Sequence, residues 1–178
     1  SGSKLPIMAM SPLLQGEIPE AVQHLIDPTV CDMEFARALS DEAIQAERAV
    51  RFHVEIDTGM GRTGVHLHEA EEFLAEVSAL SGLRLASVYT HFPDADGRDL
   101  SYATQQTRKF SELLARLEAR GLKPPRVHAA NSAGTVNLPD ALFDWVRVGL
   151  IAYGLHPSRD ESHLPLAPVM SFRSRLVQ

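Results

Sequence analysis

Cysteine occurs once in the 178 residues, at Cys31, so no disulfide can form within the chain and a reducing, cytoplasmic setting is expected. Long apolar runs are missing: none approaches the roughly 18–20 residues that cross a bilayer. The start shows no charged-then-apolar leader pattern either. Positive charge is not in excess. A formal net charge of −6 and a pI near 5.7 argue against nucleic acid or an anionic membrane as partner. Lysine is scarce, with only Lys4, Lys109 and Lys123, and there is no low-complexity tract and no repeat of sequence. What is there has the balance of one soluble globular domain, 44% hydrophobic and 22% charged, with enough chain for a sizeable core. Residues 1–4, opening Ser1-Gly2-Ser3, are expected to be a cloning scar.

A repeat of pattern takes the place of a repeat of sequence: a short apolar run, a turn, a longer helical stretch. Leu5 to Met10 is a first apolar run, followed by a helical stretch around Ile18 to Ile26. Thr29 to Cys31 reads as a very short strand, with Asp32 as N-cap of a helix from Met33 toward Arg48. From Ala49 to Asp57, Val50, Phe52, Val54 and Ile56 alternate with polar residues, the clearest strand of the chain. A helix over Glu69 to Ser81 precedes a strand at Leu85 to Phe92. Then comes a long amphipathic helix over Tyr102 to Arg120, with Phe110, Leu113, Leu114 and Leu117 on one face. Arg126 to Ala130 and Trp145 to Tyr153 supply two more expected strands, and Val169 to Val177 the start of another. About six βα units with short connections predict a parallel sheet, in which reactive groups gather at the C-terminal ends of strands. Those ends carry Asp57-Thr58-Gly59, Thr90-His91-Phe92, Asn131-Ser132 and Arg147-Val148-Gly149.

Each motif has a plain structural reading beside the functional one. Gly59-Met60-Gly61-Arg62-Thr63-Gly64 has the G-x-G-x-x-G spacing of a dinucleotide-binding turn, after a strand and before an expected helix. The acidic residue such a fold wants about 20 residues later is absent, where the chain reads Arg84-Leu85-Ala86, and Arg62 sits awkwardly against a pyrophosphate. No Lys-Ser/Thr follows the turn, which removes the phosphate loop of nucleotide hydrolases. His66-x-His68 and His53-x-Glu55 each share a strand face, but lack third and fourth metal ligands at telling distance. No metal is expected, and both pairs read as solvent-exposed polar residues. His91 at a strand end is either a structural histidine or a site group. Asn131-Ser132 suits a helix N-terminus facing a phosphate, and equally an ordinary cap. Arg147, within an apolar stretch from Phe143 to Tyr153, must be paired or used.

Four segments together resemble the alanine racemase family, of the barrel class of pyridoxal-phosphate enzymes. They are Val54 to Val65 around Asp57-Thr58-Gly59-Met60-Gly61-Arg62, then Tyr89-Thr90-His91-Phe92, then His128-Ala129-Ala130-Asn131-Ser132-Ala133-Gly134, and Val146 to Ser158. They come in the family's order and spacing, and the resemblance runs from Pro6 to the C-terminus. It implies an α/β fold, a parallel (β/α) barrel of which about six of eight units are present over residues 5–158. Residues 159–178 would be a linker and the start of a truncated β domain. It implies pyridoxal 5′-phosphate as cofactor, an amino-acid substrate interconverted between L- and D-alanine, and a homodimer. By resemblance Arg147 faces the pyridine nitrogen, with His91 beside the ring. Ser132 and the backbone N–H groups of Gly149 and Leu150 hold the phosphate, and Asn131 lines the same pocket. Arg62 approaches the phenolic oxygen or the substrate carboxylate.

The departures carry equal weight. The family's Schiff-base lysine ends the first barrel strand in a Lys-Ala-Asn-Ala-Tyr-Gly type of motif, and no lysine here has that context. The chain is expected to begin near the third barrel strand, and the tyrosine base of the second domain is also missing, so racemase activity by the chain alone is not expected. Glu55 stands where many members carry a lysine that supports the arginine at position 62, and Val148 stands where a proline is usual. Two other readings remain: a self-associating barrel fragment with open sheet edges, and a nicotinamide-nucleotide-binding domain built on the Gly-rich turn.

Overall fold

The computed structural model describes residues 5–158 and 164–175. Six strands and five helices alternate through it. In chain order they are β1 Ile7–Pro12, α1 Ile18–His24, β2 Ile26–Val30, α2 Met33–Gln45, β3 Val50–Asp57, β4 Val65–His66, α3 Ala70–Ser78, β5 Leu83–Tyr89, α4 Ser101–Ala119, β6 Val127–His128 and α5 Ser132–Asn137. All pairings are parallel, in the order β1-β2-β3-β5-β6, with β4 a short branch on β3. The helices cover one face of this curved sheet, as the alternation of apolar runs and amphipathic stretches requires.

Strand β3 shows how the sequence divides between two interiors. Phe52, Val54 and Ile56 are fully buried on one face. They join Phe35 and Leu39 of α2, Leu74 and Val77 of α3, and Phe110, Leu113 and Leu117 of α4 in one core. Each such side chain contributes on the order of 1.5–3 kcal/mol of transfer free energy. Of the alternate, polar residues of β3, Arg51 is exposed, but His53 is 2% and Glu55 3% exposed. The expectation that they are surface residues is corrected. They point to the concave face of the sheet, which carries a buried polar layer where an open sheet would carry water.

Three boundaries also differ from the sequence reading. The helix expected over Ile18 to Ile26 stops at His24, capped by Leu25 in the left-handed region at φ 56°, and Ile26 begins a full strand. Pro28 conceals that strand: it has no N–H for the ladder, and the β1–β2 register shifts between Ala9 and Pro12, just where Pro28 pairs. The strand expected over Trp145 to Tyr153 is a single bridge from Trp145 to His128, followed by a 3-10 turn at Ile151–Tyr153. Asp144 N–H donates to Val127 O at 3.0 Å and Arg147 N–H to Ala130 O at 2.9 Å, so the segment runs beside β6 without a ladder. Its side chains Val146, Val148 and Leu150 stay exposed, without the second apolar face that fixes a buried strand. Residues 164–175 contain no strand. Lys4 and the rest of residues 1–4 lie outside the described residues, as do 159–163 and 176–178, which include the end of the expected strand at Val169 to Val177.

The Asp32 cap is as expected, accepting from Phe35 N–H at 2.7 Å. Among the described residues no helix is long and apolar enough to cross a membrane.

Candidate active site

The site lies at the C-terminal ends of the strands, held by three loops. After β3 the chain turns through Thr58 to Gly64, organised by Asp57, whose carboxylate accepts from the N–H groups of Gly59 (2.8 Å) and Gly61 (3.1 Å). Gly64 is required in this turn. Its φ is 109°, and a Cβ there would lie 3.0 Å from Asp57 N and 3.2 Å from Glu55 Cγ. The turn leads into β4, and α3 begins only at Ala70, so the Gly-rich motif does not open a helix. That removes the strand–turn–helix context on which the dinucleotide reading depended.

After β5, Thr90 and His91 continue past the sheet. Thr90 Oγ1 meets Thr58 Oγ1 at 2.7 Å, and Gln106 of α4 spans from Thr58 Oγ1 to His91 O, locking the two loops together. After β6, Asn131 caps α5 by accepting from Gly134 N–H at 2.8 Å, while its amide donates to Phe92 O. Ser132 Oγ accepts from Gly149 N–H at 2.9 Å. This bond joins the third loop to the segment that carries Arg147.

Six of the seven residues singled out in the sequence meet in one open cleft of about 310 Å³: His91, Asn131, Ser132, Arg147, Gly149 and Leu150. Asp96, Ala133 and Pro157 complete its lining and were not anticipated. Arg62 lines an adjoining cavity of about 250 Å³ with Glu55, Thr63 and Tyr89, and His91 borders both spaces. Glu55 accepts from Thr63 Oγ1 at 2.7 Å, which ties it to the Gly-rich turn. His66 and His68 are exposed and stack on each other at 5.7 Å.

Arg147 is the electrostatic centre. Its Nη2 donates to Thr90 O at 2.8 Å, to Ala129 O at 3.1 Å and to His91 Nδ1 at 3.3 Å, while Nη1 donates to His128 Nδ1. The guanidinium also lies 4.9 Å over the Tyr89 ring. Only Nε, a buried donor, makes no hydrogen bond. Burial, then Arg147, then Arg62 lower the His91 imidazole to about 4. Burial, then Arg147, then His53 lower His128 to about 3. Both rings are neutral at pH 7. Since Arg147 can only donate, His91 Nδ1 accepts and its proton sits on Nε2.

The family model described as "Alanine racemase, N-terminal domain" matches residues 1–157. The chain belongs to the alanine racemase family. It is 41% identical over its whole length to the alanine racemase of Syntrophobacter fumaroxidans, covering 48% of that protein. It is 38% identical over 96% of its length to that of Chlorobaculum tepidum, covering 45%. Alanine racemase from Clostridium difficile 630, solved in complex with cycloserine, superposes with a TM-score of 0.90 at 29% identity, over 94% of this chain and 47% of that one. The Bacillus anthracis enzyme with bound L-Ala-P gives 0.82 at 34% identity, over 94% and 44%. The chain thus spans about half the length of the relatives it matches, and its curved sheet is an arc of the family's α/β barrel.

Neither described lysine lines the cleft. Lys109 sits on α4, and Lys123 is exposed and pairs with Glu118 at 2.7 Å.

Proposed function

We propose that this chain is the part of a pyridoxal-phosphate-dependent alanine racemase that cradles the cofactor's phosphate and pyridine nitrogen, and that by itself it does not interconvert L- and D-alanine. One observation carries the reading: Arg147 Nε is a buried donor without a partner, beside a cleft lined by the other five expected contacts. A pyridine nitrogen is an acceptor, so cofactor and vacant donor are complementary.

When bound, pyridoxal phosphate supplies an electron sink for charge developing at the amino acid's α-carbon. The chain's own residues set how deep that sink is. Arg147 donates to the ring nitrogen but keeps its proton, so the ring stays unprotonated and draws less charge. That restraint suits a racemase, which must return the proton. His91, neutral at pH 7, presents an Nε2–H beside the ring without adding a second cation next to Arg147. Ser132 and the backbone of Gly149 and Leu150 hold the phosphate. Gly149 N–H already donates to Ser132 Oγ, which orients that hydroxyl. Arg62, across His91 in the neighbouring cavity, meets the phenolic oxygen or the substrate carboxylate. A lysine linked to the cofactor and a tyrosine base come from outside this set. The working protein is read as a cytoplasmic homodimer.

Titrating the chain with pyridoxal phosphate, followed by borohydride reduction and mass spectrometry, tests this. Weak saturable binding that Arg147→Ala reduces at least tenfold, with no lysine specifically labelled, is the expected result. Labelling of one lysine, or turnover of L- to D-alanine by the purified chain, overturns the claim of inactivity. Indifference of binding to Arg147→Ala overturns the cradle.

A further inference from the structure

Behind Arg147, on the concave face of the sheet, lies a row of buried polar groups that the cleft itself does not use. His128 Nε2 is 2.8 Å from Ser87 Oγ, and Ser87 Oγ is 2.6 Å from His53 Nδ1. His53 Nε2 faces Asp27 Oδ2 at 3.7 Å, and Arg51 Nε approaches the same carboxylate oxygen at 3.2 Å. The four residues sit on four neighbouring strands, β2, β3, β5 and β6, with His53 in register with Ser87 and Tyr89 with His128. Ser87 is fully buried, and Asp27, His53 and His128 nearly so.

One proton arrangement satisfies the three inner links, from Arg147 through His128 and Ser87 to His53. A guanidinium has no acceptor, so Arg147 Nη1 donates to His128 Nδ1 and the His128 proton must reside on Nε2. That N–H donates to Ser87 Oγ. The single Ser87 hydroxyl proton is then directed at His53 Nδ1, which places the His53 proton on Nε2, on the side of the Asp27 carboxylate but at 3.7 Å too far for a hydrogen bond. Reversing any of these links puts two donors or two acceptors face to face among buried groups. Tyr89 holds the row in plane: its ring stacks on His128 at 4.9 Å with 6° between the planes, and carries the Arg147 guanidinium on its face.

We infer that His53, Ser87 and His128 form a one-way hydrogen-bond relay, with the Asp27 carboxylate beyond its far end, that positions Arg147, whose side chain lines the cleft and whose Nε–H is left unpaired. That carboxylate never touches the guanidinium, so Arg147 is oriented without a carboxylate competing for Nε. Ser87 is the essential joint, since it alone both accepts from one imidazole and donates to the other. The relay's bearing on the cofactor rests on the function proposed above, but its proton order does not.

Nitrogen-15 NMR of the chain labelled at histidine reads that order without any ligand. His53 and His128 should both be Nε2–H tautomers, and His128 should stay neutral down to pH 5. An Nδ1–H tautomer at either ring, or titration of His128 near pH 6.5, overturns the relay. Ser87→Ala should release both rings from a single tautomer and weaken pyridoxal phosphate binding about threefold to tenfold, and Ser87→Thr should restore both. Correct tautomers with no cofactor binding would leave the relay standing and refute the cradle. Binding unchanged in a folded Ser87→Ala refutes the relay's positioning role. If Ser87→Ala fails to fold, the tautomers of the unaltered chain decide the matter.

Discussion

His91 and His128 are imidazoles kept neutral by burial beside a guanidinium, and their shared environment has a thermodynamic consequence. Their native values, about 4 and about 3, lie below the 6.5 of a free histidine. Between those limits the unfolded chain takes up protons that the native chain refuses, so stability rises with pH across the window. The contribution is complete above pH 6.5 and is lost progressively as pH falls toward 4 and then 3. Urea unfolding at pH 7, 6, 5 and 4.5 should show a falling midpoint, and His91→Asn should remove up to one proton from the slope. A flat profile would contradict the burial of both rings. At this scale the sequence was informative about the cleft and silent about what stands behind it. His91, Asn131, Ser132 and Arg147 were legible as polar residues ending apolar strands, which converge in a parallel fold, whereas Gly149 and Leu150 were reached as site residues through the family resemblance. His53, Ser87 and His128 were not, since alternation cannot say whether the polar face of a strand meets water or a barrel interior.

The longer helices and strands β3, β5 and β6 were legible as elements; β4 was missed and β2 was read too short. Asp32, the apolar period of α4 and the alternation of β3 are local signals, and each gave its element to within a few residues. Strand β2 carries Pro28, and the segment at Phe143 to Tyr153 lacks a buried second face, so composition misjudged both in opposite directions. The core consequence of α4 can be measured. Phe110 is fully buried in the apolar core shared by the helices and the sheet and packs edge-on to Phe143 at 5.6 Å. Phe110→Ala should cost about 3–5 kcal/mol in chemical denaturation. Glu112→Ala on the same helix, which removes only an exposed pair with Arg108, should stay within about 0.5 kcal/mol. Equal effects at the two positions would mean that α4 is not seated on the sheet as described.

The described residues form an arc of sheet with two unlike ends. Strand β1 pairs with β2 on one side only, and Ile7 and Met10 on it are 48% and 43% exposed. At the other end, Trp145, Val146, Val148 and Leu150 flank a single bridge to β6 and stay exposed. Between the ends, a cavity of about 370 Å³ opens onto the concave face and is lined by Leu5, Met8, His53, His128, Trp145 and others. Open backbone edges next to exposed apolar side chains favour pairing with a second chain, because association removes both liabilities at once. Sedimentation velocity over micromolar to hundred-micromolar concentrations should therefore show concentration-dependent self-association. Ile7→Lys, which places a charge on the open edge of β1 without entering the core, should shift the equilibrium toward monomer by tenfold or more. A single monomeric species at every concentration would mean that the arc shields its own edges, and that the polar layer on its concave face is stable against solvent without a partner.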